Sequence, residues 1–470
     1  MTHTTHTRTS PAISRQLAET LATTTDSDLP AQAIIDAKRA VLDWLGSALA
    51  GALEPPARMA QAVVAMLGKA DDATVFGAGR SSAAGAALAN GVASHSLELD
   101  DVHKGSTLHG AAPIIPAALA VAEREGASGA AFLRAVILGY EAALRIGEAV
   151  NPSHYRFWHP TGTAATFGAA VAAGSLLHLT PAQMLDALGS AGTQAAGLWE
   201  FNADGAMSKA LHPGKAAMNG VLAADLARQG FTGATRILEG DRGFFRAMSS
   251  SYDPTRITDG LGERWKISEN CYKLYACCGH THTAIDTALD LRTELGWQAD
   301  EALTKVATVA IETYGPGYEI VKEMNPRTPY QAKFSLAYVT AVALLEGWVG
   351  LAQFSPARFA ATGVVEAKVA ALLPRLQITV NEALSARYPA AWPARLTLTL
   401  TDGTVLHGAS DYPRGNPENP VSTAGLAEKF RSLVTPLYDP ALADRALSFV
   451  QGIDRAARIT TALREMLPAS

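Results

Sequence analysis

Apolar residues in the first half of the chain recur three, four or seven positions apart, which is the spacing of one face of an α-helix. Between Pro30 and Gly51, for example, they include Ile34, Val41 and Leu45, and the proline and the glycine mark the ends of the segment. The same pattern predicts helices over residues 84–95, 113–125, 129–148, 162–179, 181–197 and 215–230. The region from about residue 13 to residue 259 is therefore predicted to be a body of packed helices.

The pattern changes after residue 300, where β-branched and polar residues alternate as they do in a half-buried strand. Alternation of this kind covers residues 305–314, 376–380, 394–400 and 404–407, and Asp402-Gly403 between the last two is a hairpin-turn signal. A helix is predicted over residues 330–348, within this strand region. Two more helices are predicted beyond it, over residues 422–434 and 440–467.

These patterns predict a mainly α protein with two domains. A large all-helical domain is built from the N- and C-terminal segments, residues 13–267 and 409–470, and a smaller α+β lid domain, residues 268–408, is inserted between them. Residues 1–12 are rich in Thr and His and have no apolar core, so we expect a disordered tail there.

Composition narrows the range of partners. The 470 residues carry a formal net charge of −5 with no block of like charges, which disfavours nucleic-acid binding. The longest apolar runs, residues 111–122 and 334–345, are shorter than the roughly 18 residues that a membrane span needs. Three clustered cysteines exclude a disulfide framework, so we expect a cytoplasmic protein that binds a small molecule.

Candidate chemistry is concentrated in the histidines, because nine of the twelve fall between His95 and His282. The densest stretch, residues 95–110, holds three histidines and three carboxylates in a Gly/Ser/Thr-rich connection between two predicted helices. Its Glu98, Asp101 and His109 are candidate catalytic residues; the alternative for each is a role in helix capping or on a solvated surface. We expect no metal site, because the stretch contains neither a His-x-x-x-His pair nor a Cys-x-x-Cys motif.

Three further clusters lie where a loop leads into a helix. Their candidate residues are imidazoles, ammonium groups, a phenol, a guanidinium and a thiol: Tyr155, Arg156 and His159 in the first cluster, Lys209 and His212 in the second, and Lys273, Cys278 and His282 in the third. Packing between helices is the alternative role for the aromatic residues, and burial as a small apolar residue is the alternative for the cysteine. Dinucleotide- and phosphate-binding glycine motifs are missing from the sequence, which leaves acid–base chemistry on an anionic substrate.

The sequence resembles the MmgE/PrpD family, which includes 2-methylcitrate dehydratases, cis-aconitate decarboxylase and an iminodisuccinate epimerase. The resemblance rests on residues 42–46, the His-Ser-Leu-Glu-Leu-Asp-Asp stretch at 95–101, His109, His159-Pro160, Lys209 with His212, residues 273–282, 331–336 and 412–415, and Lys429-Phe430. It implies a helical domain with a smaller lid domain, a homodimer, no cofactor, and an active site between the domains. The family's site residues correspond here to Glu98, His109, His159, Lys209 and Cys278.

Two of these positions depart from the decarboxylase pattern, since Glu98 replaces an aspartate and Cys278 replaces a histidine. These departures disfavour decarboxylation. Because dehydration is the commonest named activity in the family that the sequence resembles, we expect a hydro-lyase that acts on a 2-methylcitrate-like polycarboxylate, with His109 and His159 as base and acid and Lys209 on a substrate carboxylate. Glu98 and Asp101 are expected to orient His109. Substrate contacts are expected from Lys273, His212, Tyr155, Arg156 and His282. An epimerase, a decarboxylase and a non-catalytic polycarboxylate-binding protein remain the alternatives.

Overall fold

The computed structural model describes residues 12–298, 300–359 and 366–467. The predicted disordered tail lies outside these residues except for Ala12. The first part of the chain is a body of helices, and their bounds are α1 (Ile13–Thr23), α2 (Ala31–Gly51), α3 (Pro55–Met66), α4 (Ala83–His95), α5 (Ala111–Glu125), α6 (Gly129–Val150), α7 (Ala164–Leu176), α8 (Pro181–Gly192), α9 (Phe201–Asp204), α10 (Ser208–Arg228), α11 (Phe244–Met248) and α12 (Thr255–Thr258).

Small residues allow the helices of the body to pack closely. Gly91 of α4 faces Gly214 of α10, and a methyl group added to Gly91 would lie 2.6 Å from the Cα atom of Gly214. Larger side chains would therefore push the two helices apart. This close crossing matters for function because α4 leads directly into the 95–110 stretch and α10 carries Lys209.

The helical body also contains a small hairpin that the sequence patterns did not predict. Strand β1 (Ala73–Val75) pairs antiparallel with β2 (Gly79–Ser81). Three residues are too few to show a recognisable alternation, so the strands escape detection. The hairpin is tied to the body by Glu123 of α5, whose carboxylate accepts hydrogen bonds from the backbone and side chain of Thr74 at 2.9 and 2.8 Å.

The predicted α+β region contains one mixed sheet in the order β4-β3-β5-β6. Strand β3 (Val306–Thr313) runs parallel to β4 (Leu376–Val380) and antiparallel to β5 (Ala394–Leu400), which pairs antiparallel with β6 (Val405–Ser410) across the Asp402-Gly403 turn. The helices and helical turns around it are α13 (His282–Glu294), α14 (Glu301–Lys305), α15 (Gly315–Val321), α16 (Pro329–Lys333), α17 (Leu336–Glu346), α18 (Ala367–Leu372) and α19 (Glu382–Ser385).

The helix predicted over residues 330–348 is two helices, α16 and α17, with a break at Phe334 and Ser335. The side chain of Ser335 accepts a hydrogen bond from the backbone N–H of Tyr338 at 3.1 Å and so caps the N-terminus of α17. Hydrophobic periodicity runs through both helices, and the serine is the local signal that separates them.

The chain returns to the body through α20 (Thr423–Val434), α21 (Pro440–Gly452) and α22 (Ile459–Met466). Helix α20 packs on α2, where Phe430 covers Gly46 closely enough that a methyl group there would meet its ring at 3.1 Å. Both ends of the chain thus contribute to one core, and the α+β segment is an insertion between them. Among the described residues, no helix is both long and apolar enough to span a bilayer.

Candidate active site

Five separate segments bring charged and imidazole side chains to one buried region. The connection from α4 to α5 supplies residues 95–110, the loop before α7 supplies His159, and the first turn of α10 supplies Lys209. The irregular segment before α13 supplies Lys273 and Cys278, and α16 contributes Tyr330. Their polar atoms are buried where the helical body meets the inserted segment, so electrostatic interactions among them are weakly screened.

The centre of the site is Glu98, whose carboxylate faces two ammonium groups. Lys209 Nζ donates a hydrogen bond to Glu98 Oε1, and Lys273 Nζ lies 3.5 Å from Oε2. Burial alone would raise the pKa of Glu98, but the two lysines hold that pKa well below its usual range. Glu98 has a left-handed φ of 60°, a strained conformation for a residue with a side chain, and such strain is typical of functional sites.

Lys273 is unusual because its ammonium group is buried without a hydrogen bond. The residue is 1 % exposed, and Nζ has no hydrogen-bond partner within the described parts of the chain. Two ammonium groups here share one carboxylate. N–H groups of the ammonium groups therefore remain available to donate hydrogen bonds to an incoming anion.

Three imidazoles pack together beside these charges. The ring centroid of His109 lies 4.7 Å from that of His95 and 6.0 Å from that of His159. The Nδ1 of His109 donates to the backbone carbonyl of Asp101 at 2.6 Å, which fixes the tautomer and leaves Nε2 as the basic nitrogen. Burial lowers the pKa of His109 to about 3 and the pKa of His159 well below its usual value, so both rings are neutral at pH 7.

Asp100, rather than Asp101 or Glu98, is the carboxylate that faces the imidazoles. Its Oδ2 accepts a hydrogen bond from His95 Nδ1 at 2.7 Å and lies 3.4 Å from His109 Nδ1. The expectation that the Asp101 and Glu98 carboxylates orient His109 is therefore wrong. Asp101 contributes its backbone carbonyl, and the carboxylate of Glu98 is directed at the lysines.

The Asp101 side chain points away from the imidazoles. It accepts hydrogen bonds from Tyr140 Oη at 2.5 Å, Asn270 Nδ2 at 2.7 Å and the backbone N–H of Ala111 at 3.0 Å. These contacts anchor the 95–110 stretch to α6, to the start of α5 and to the segment before α13. Burial raises the pKa of this carboxyl to about 7.

Two other predicted residues lie at the edge of the imidazole cluster. His212 Nδ1 is 3.0 Å from His159 Nδ1, which makes it the partner of that ring. Tyr155 Oη lies 3.4 Å from His280 Nε2, and His280 Nδ1 is 2.6 Å from Tyr314 Oη. The contact between Tyr155 and His280 joins a loop of the helical body to the inserted segment, in which Tyr314 also lies.

The remaining predicted residues differ in their placement. Arg156 is exposed and lies over the ring of Phe157, so it is not brought into the buried region. His282 is buried, and its Nε2 is 3.3 Å from the backbone carbonyl of Cys277. The Cys278 thiol lies near the two lysines, but burial raises its pKa, which disfavours the thiolate form.

Sequence reasoning did not single out three residues that belong to the buried region: His95, Asp100 and Tyr330. His95 and Asp100 lie in the dense 95–110 stretch, and the number of imidazoles there was the signal that could have found them. Tyr330 precedes Phe334, the ring beneath the Lys209 ammonium, and its own Oη is buried without a hydrogen-bond partner in the described residues.

Two groups of residues have the donor atoms that a metal ion requires. One ring nitrogen from each of His95, His109 and His159 lies within 4.8 Å of the other two. The second group is His103 with Glu148 and Glu269, but there the Lys266 ammonium already contacts both carboxylates, at 3.0 and 3.1 Å. The lysine neutralises the second group, so the three histidines are the better ligand set.

Comparisons with known proteins match most of this sequence to one protein family. The sequence model of the MmgE/PrpD N-terminal domain matches residues 15–257, and that of the MmgE/PrpD C-terminal domain matches residues 275–455. A cis-aconitate decarboxylase-like protein of Aspergillus oryzae is 27% identical over 458 residues, which are 93% of each chain. Cis-aconitate decarboxylase of Aspergillus terreus is 28% identical over 93% of this chain and 92% of its own, and the human enzyme is 27% identical over 89% and 86%. With both family models matching over most of its length, the chain belongs to the MmgE/PrpD family.

Proposed function

We propose that this protein is a lyase that acts on a small di- or tricarboxylic acid by proton transfer at a carbon beside a carboxylate. The observation that carries the proposal is the pair of buried ammonium groups, Lys209 and Lys273, that share Glu98 while Lys273 Nζ makes no hydrogen bond among the described residues. Burial of an ammonium group whose N–H donors make no hydrogen bond costs folding free energy unless an anion accepts those hydrogen bonds. A substrate carboxylate supplies that anion.

The same geometry supports the chemical step. Carbanion character develops beside the bound carboxylate when the substrate reacts, and the two ammonium groups stabilise the negative charge as it spreads onto the carboxylate oxygens. His109 presents its Nε2 as a base, and His159 with His212 forms a second proton-carrying pair on the other side of the cluster. We assign His109 and His159 to proton transfer and Lys209 and Lys273 to the carboxylate.

Decarboxylation of a cis-aconitate-like acid is the first candidate reaction, because the relatives described above are named as cis-aconitate decarboxylases or as similar to them. In that reaction the bond to one carboxylate breaks and CO2 leaves. The electron pair is delocalised over the adjacent double bond and carboxylate. An imidazole, which is neutral at pH 7 and first takes up a proton from solvent, then delivers the proton that completes the product.

Dehydration of a hydroxy-polycarboxylate is the second candidate. It is favoured by the neutral state of His109 and His159, because a base must first remove a proton from carbon and decarboxylation requires no such base. The hydroxyl group then leaves as water with a proton from a second group, and a carbon–carbon double bond forms. Glu98 and Cys278, which replace an aspartate and a histidine of the decarboxylase pattern, lie in the same site. These replacements are compatible with dehydration in place of decarboxylation.

One experiment distinguishes the candidates. The purified protein is incubated with cis-aconitate, 2-methylcitrate and related acids in D2O, and proton NMR spectra are followed over time. Loss of CO2 with deuterium in the product indicates decarboxylation, and a new alkene signal from a hydroxy acid indicates dehydration. Deuterium exchange with inversion at a stereocentre and no other product would indicate an epimerase instead. If no acid in the panel reacts or exchanges, the proposed lyase function is wrong.

A further inference from the structure

The cluster of His95, His109 and His159 has a feature that proton transfer alone does not require. His95 is 1 % exposed and its Nδ1 is used by Asp100 at 2.7 Å, yet its other ring nitrogen, Nε2, is buried without a hydrogen-bond partner in the described residues. A buried polar atom of this kind demands a ligand. It lies in a ring that packs against the other two imidazoles.

We propose that His95, His109 and His159 form a binding site for a divalent transition metal ion such as Zn²⁺, and that the bound ion inhibits the enzyme. The inhibitory part rests on the proposed lyase function, because the metal would take the nitrogen lone pairs that proton transfer uses. The binding part rests on geometry alone. Three imidazoles with an open fourth position form a common zinc ligand set in proteins.

Each ring already has a partner for the nitrogen that would not bind the metal. Asp100 is the partner of His95, the backbone carbonyl of Asp101 is the partner of His109, and His212 is the partner of His159. Histidine ligands in metal sites almost always have such a contact, because it fixes the tautomer and the direction of the ring. In all three rings the occupied atom is Nδ1, which leaves Nε2 for the ion.

The distances require only a small adjustment. One ring nitrogen of each histidine, Nδ1 or Nε2, lies within 4.8 Å of a ring nitrogen of each of the other two, whereas nitrogens around a tetrahedral zinc ion lie roughly 3.3 Å apart when the Zn–N distance is about 2.0–2.1 Å. From that spacing, the nitrogens would move inward by roughly 0.8 Å to reach the zinc geometry. Rotation about the side-chain bonds of a histidine achieves such a shift without moving the backbone.

The surrounding charges permit a cation. Lys209 and Lys273 are positive, but Glu98 and Asp100 are negative and equally buried, so these four groups add no net positive charge. Asp100 also lies directly behind two of the rings, at 2.7 Å from His95 and 3.4 Å from His109. A carboxylate in this position makes the imidazoles stronger ligands.

The experiment uses Co²⁺ as a spectroscopic substitute for Zn²⁺. The full-length protein is treated with a chelator, dialysed and titrated with CoCl2, and the visible absorption band of Co²⁺ with nitrogen ligands is recorded. Zn²⁺ is then added to displace Co²⁺ and to give the zinc affinity. We expect one equivalent of Co²⁺ to bind with an intense band typical of low coordination number, and one equivalent of Zn²⁺ to remove that band.

Variants identify the ligands. His95→Ala and His109→Ala are expected to weaken Co²⁺ binding at least about tenfold, and Asp100→Asn to weaken it about 10- to 100-fold. His280→Ala removes a buried imidazole outside the cluster, and His103→Ala tests the second group of candidate ligands, so both should bind Co²⁺ as the wild type does. Circular dichroism confirms that each variant is folded. An unchanged Co²⁺ spectrum in folded His95→Ala would overturn the proposed site, as would loss of binding in His103→Ala alone.

Activity is measured separately on the chelated protein. If Zn²⁺ abolishes turnover in proportion to the occupied site, the inhibitory role stands, and if Zn²⁺ raises turnover, that role is wrong. Co²⁺ binding without turnover of any acid would contradict the lyase function and leave the metal site intact. Turnover without Co²⁺ binding would contradict the metal site and leave the lyase function intact.

Discussion

Lys273 lies 3.5 Å from Glu98 through its Nζ atom, yet it shares the negative charge of that carboxylate with Lys209, which makes the shorter contact. The Glu98 carboxylate therefore faces two ammonium groups before any substrate arrives. An unfilled donor in a buried position lowers the stability of the free protein and raises its affinity for an anion. Removal of the Lys273 ammonium is therefore expected to have opposite effects on the stability of the free protein and on its affinity for an anion.

Lys273→Met is expected to weaken the binding of a tricarboxylate about 10- to 100-fold, because a hydrogen bond to a charged group contributes about 1.5–3 kcal/mol. The free energy of unfolding of the ligand-free protein should stay the same or increase, since the methionine removes a buried charge that makes no hydrogen bond among the described residues. Titration calorimetry with tricarballylate and urea unfolding measure the two effects.

The matched control is Lys305→Met, which replaces a half-exposed lysine paired with Glu301 at the surface. It should change neither affinity nor stability by more than a small amount. If Lys273→Met binds tricarballylate as tightly as the wild type, the ammonium is not a carboxylate anchor.

His109→Ala is expected to lower kcat about 100- to 10,000-fold, which is the usual contribution of a positioned acid or base. The reason is that Nδ1 is held by the Asp101 carbonyl, so Nε2 is the nitrogen that exchanges a proton with the substrate. Steady-state kinetics on the acid identified by NMR measure the effect. His407→Ala, an exposed histidine on β6, is the control and should keep full activity; near wild-type turnover in His109→Ala would remove the residue from the mechanism.

The neighbours Asp100 and Asp101 are expected to have different roles. Asp101→Asn should lower the free energy of unfolding by about 1–3 kcal/mol, because the new amide places a donor opposite Asn270 Nδ2 and leaves a buried polar contact unmade. Asp100→Asn should mainly lower turnover, since this carboxylate faces His95 and His109. Urea unfolding and kinetics on both variants check this division, and equal losses of stability with equal losses of turnover would contradict it.

Much of the fold could be predicted from the sequence, because long helices repeat their apolar face many times and the Asp402-Gly403 hairpin has a distinct local signal. It could also be predicted that Glu98, His109 and Lys209 meet in one site, since they occur in polar stretches at the ends of helices. The choice between Asp100 and Asp101 could not. Asp101 contacts Asn270, and the next residue, Val102, forms a bridge with Cys271; contacts so distant in sequence leave no local pattern.

Arg156 is a second residue whose side-chain direction could not be predicted from the sequence. It lies in a stretch with Tyr155 and His159, both of which point inward, but the 3-10 turn His154–Arg156 directs the guanidinium to solvent over Phe157. Residue type and spacing indicate which segments meet. They do not give the rotation of an irregular turn, which decides the side chains that enter the site.

Lys215 provides a pH-dependent test. Its Nζ donates to the carbonyls of Gly162 and Ala196 at 3.0 and 2.7 Å, and burial lowers its pKa from 10.5 to about 8. Between these pH values the unfolded chain binds more protons at this position than the folded protein does. The contribution of Lys215 to the free energy of unfolding therefore rises as the pH increases from about 8 towards 10.5, by at most about 1.4 kcal/mol per pH unit.

Lys215→Met removes this contribution, so its stability should depend less steeply on pH than that of the wild type above about pH 8. Urea unfolding over a series of alkaline pH values measures the difference between the two proteins, and Lys305→Met again serves as the exposed control. Parallel curves for the wild type and Lys215→Met would show that the lysine has an ordinary pKa.

Lys429 holds the returning C-terminal segment against the body and the site. Its Nζ donates to Asp43 Oδ1 and to the backbone carbonyl of Leu99, each at 2.6 Å, and the side chain of Asp43 is fully buried. Lys429→Met should lower the free energy of unfolding by about 3–5 kcal/mol, because it leaves a buried carboxylate without its counter-charge. The double variant Asp43→Leu with Lys429→Met should recover most of that loss, since an apolar pair has no charge to desolvate. Urea unfolding of the three proteins measures the coupling, and a single variant as stable as the wild type would mean that this ion pair does not secure the C-terminal helices.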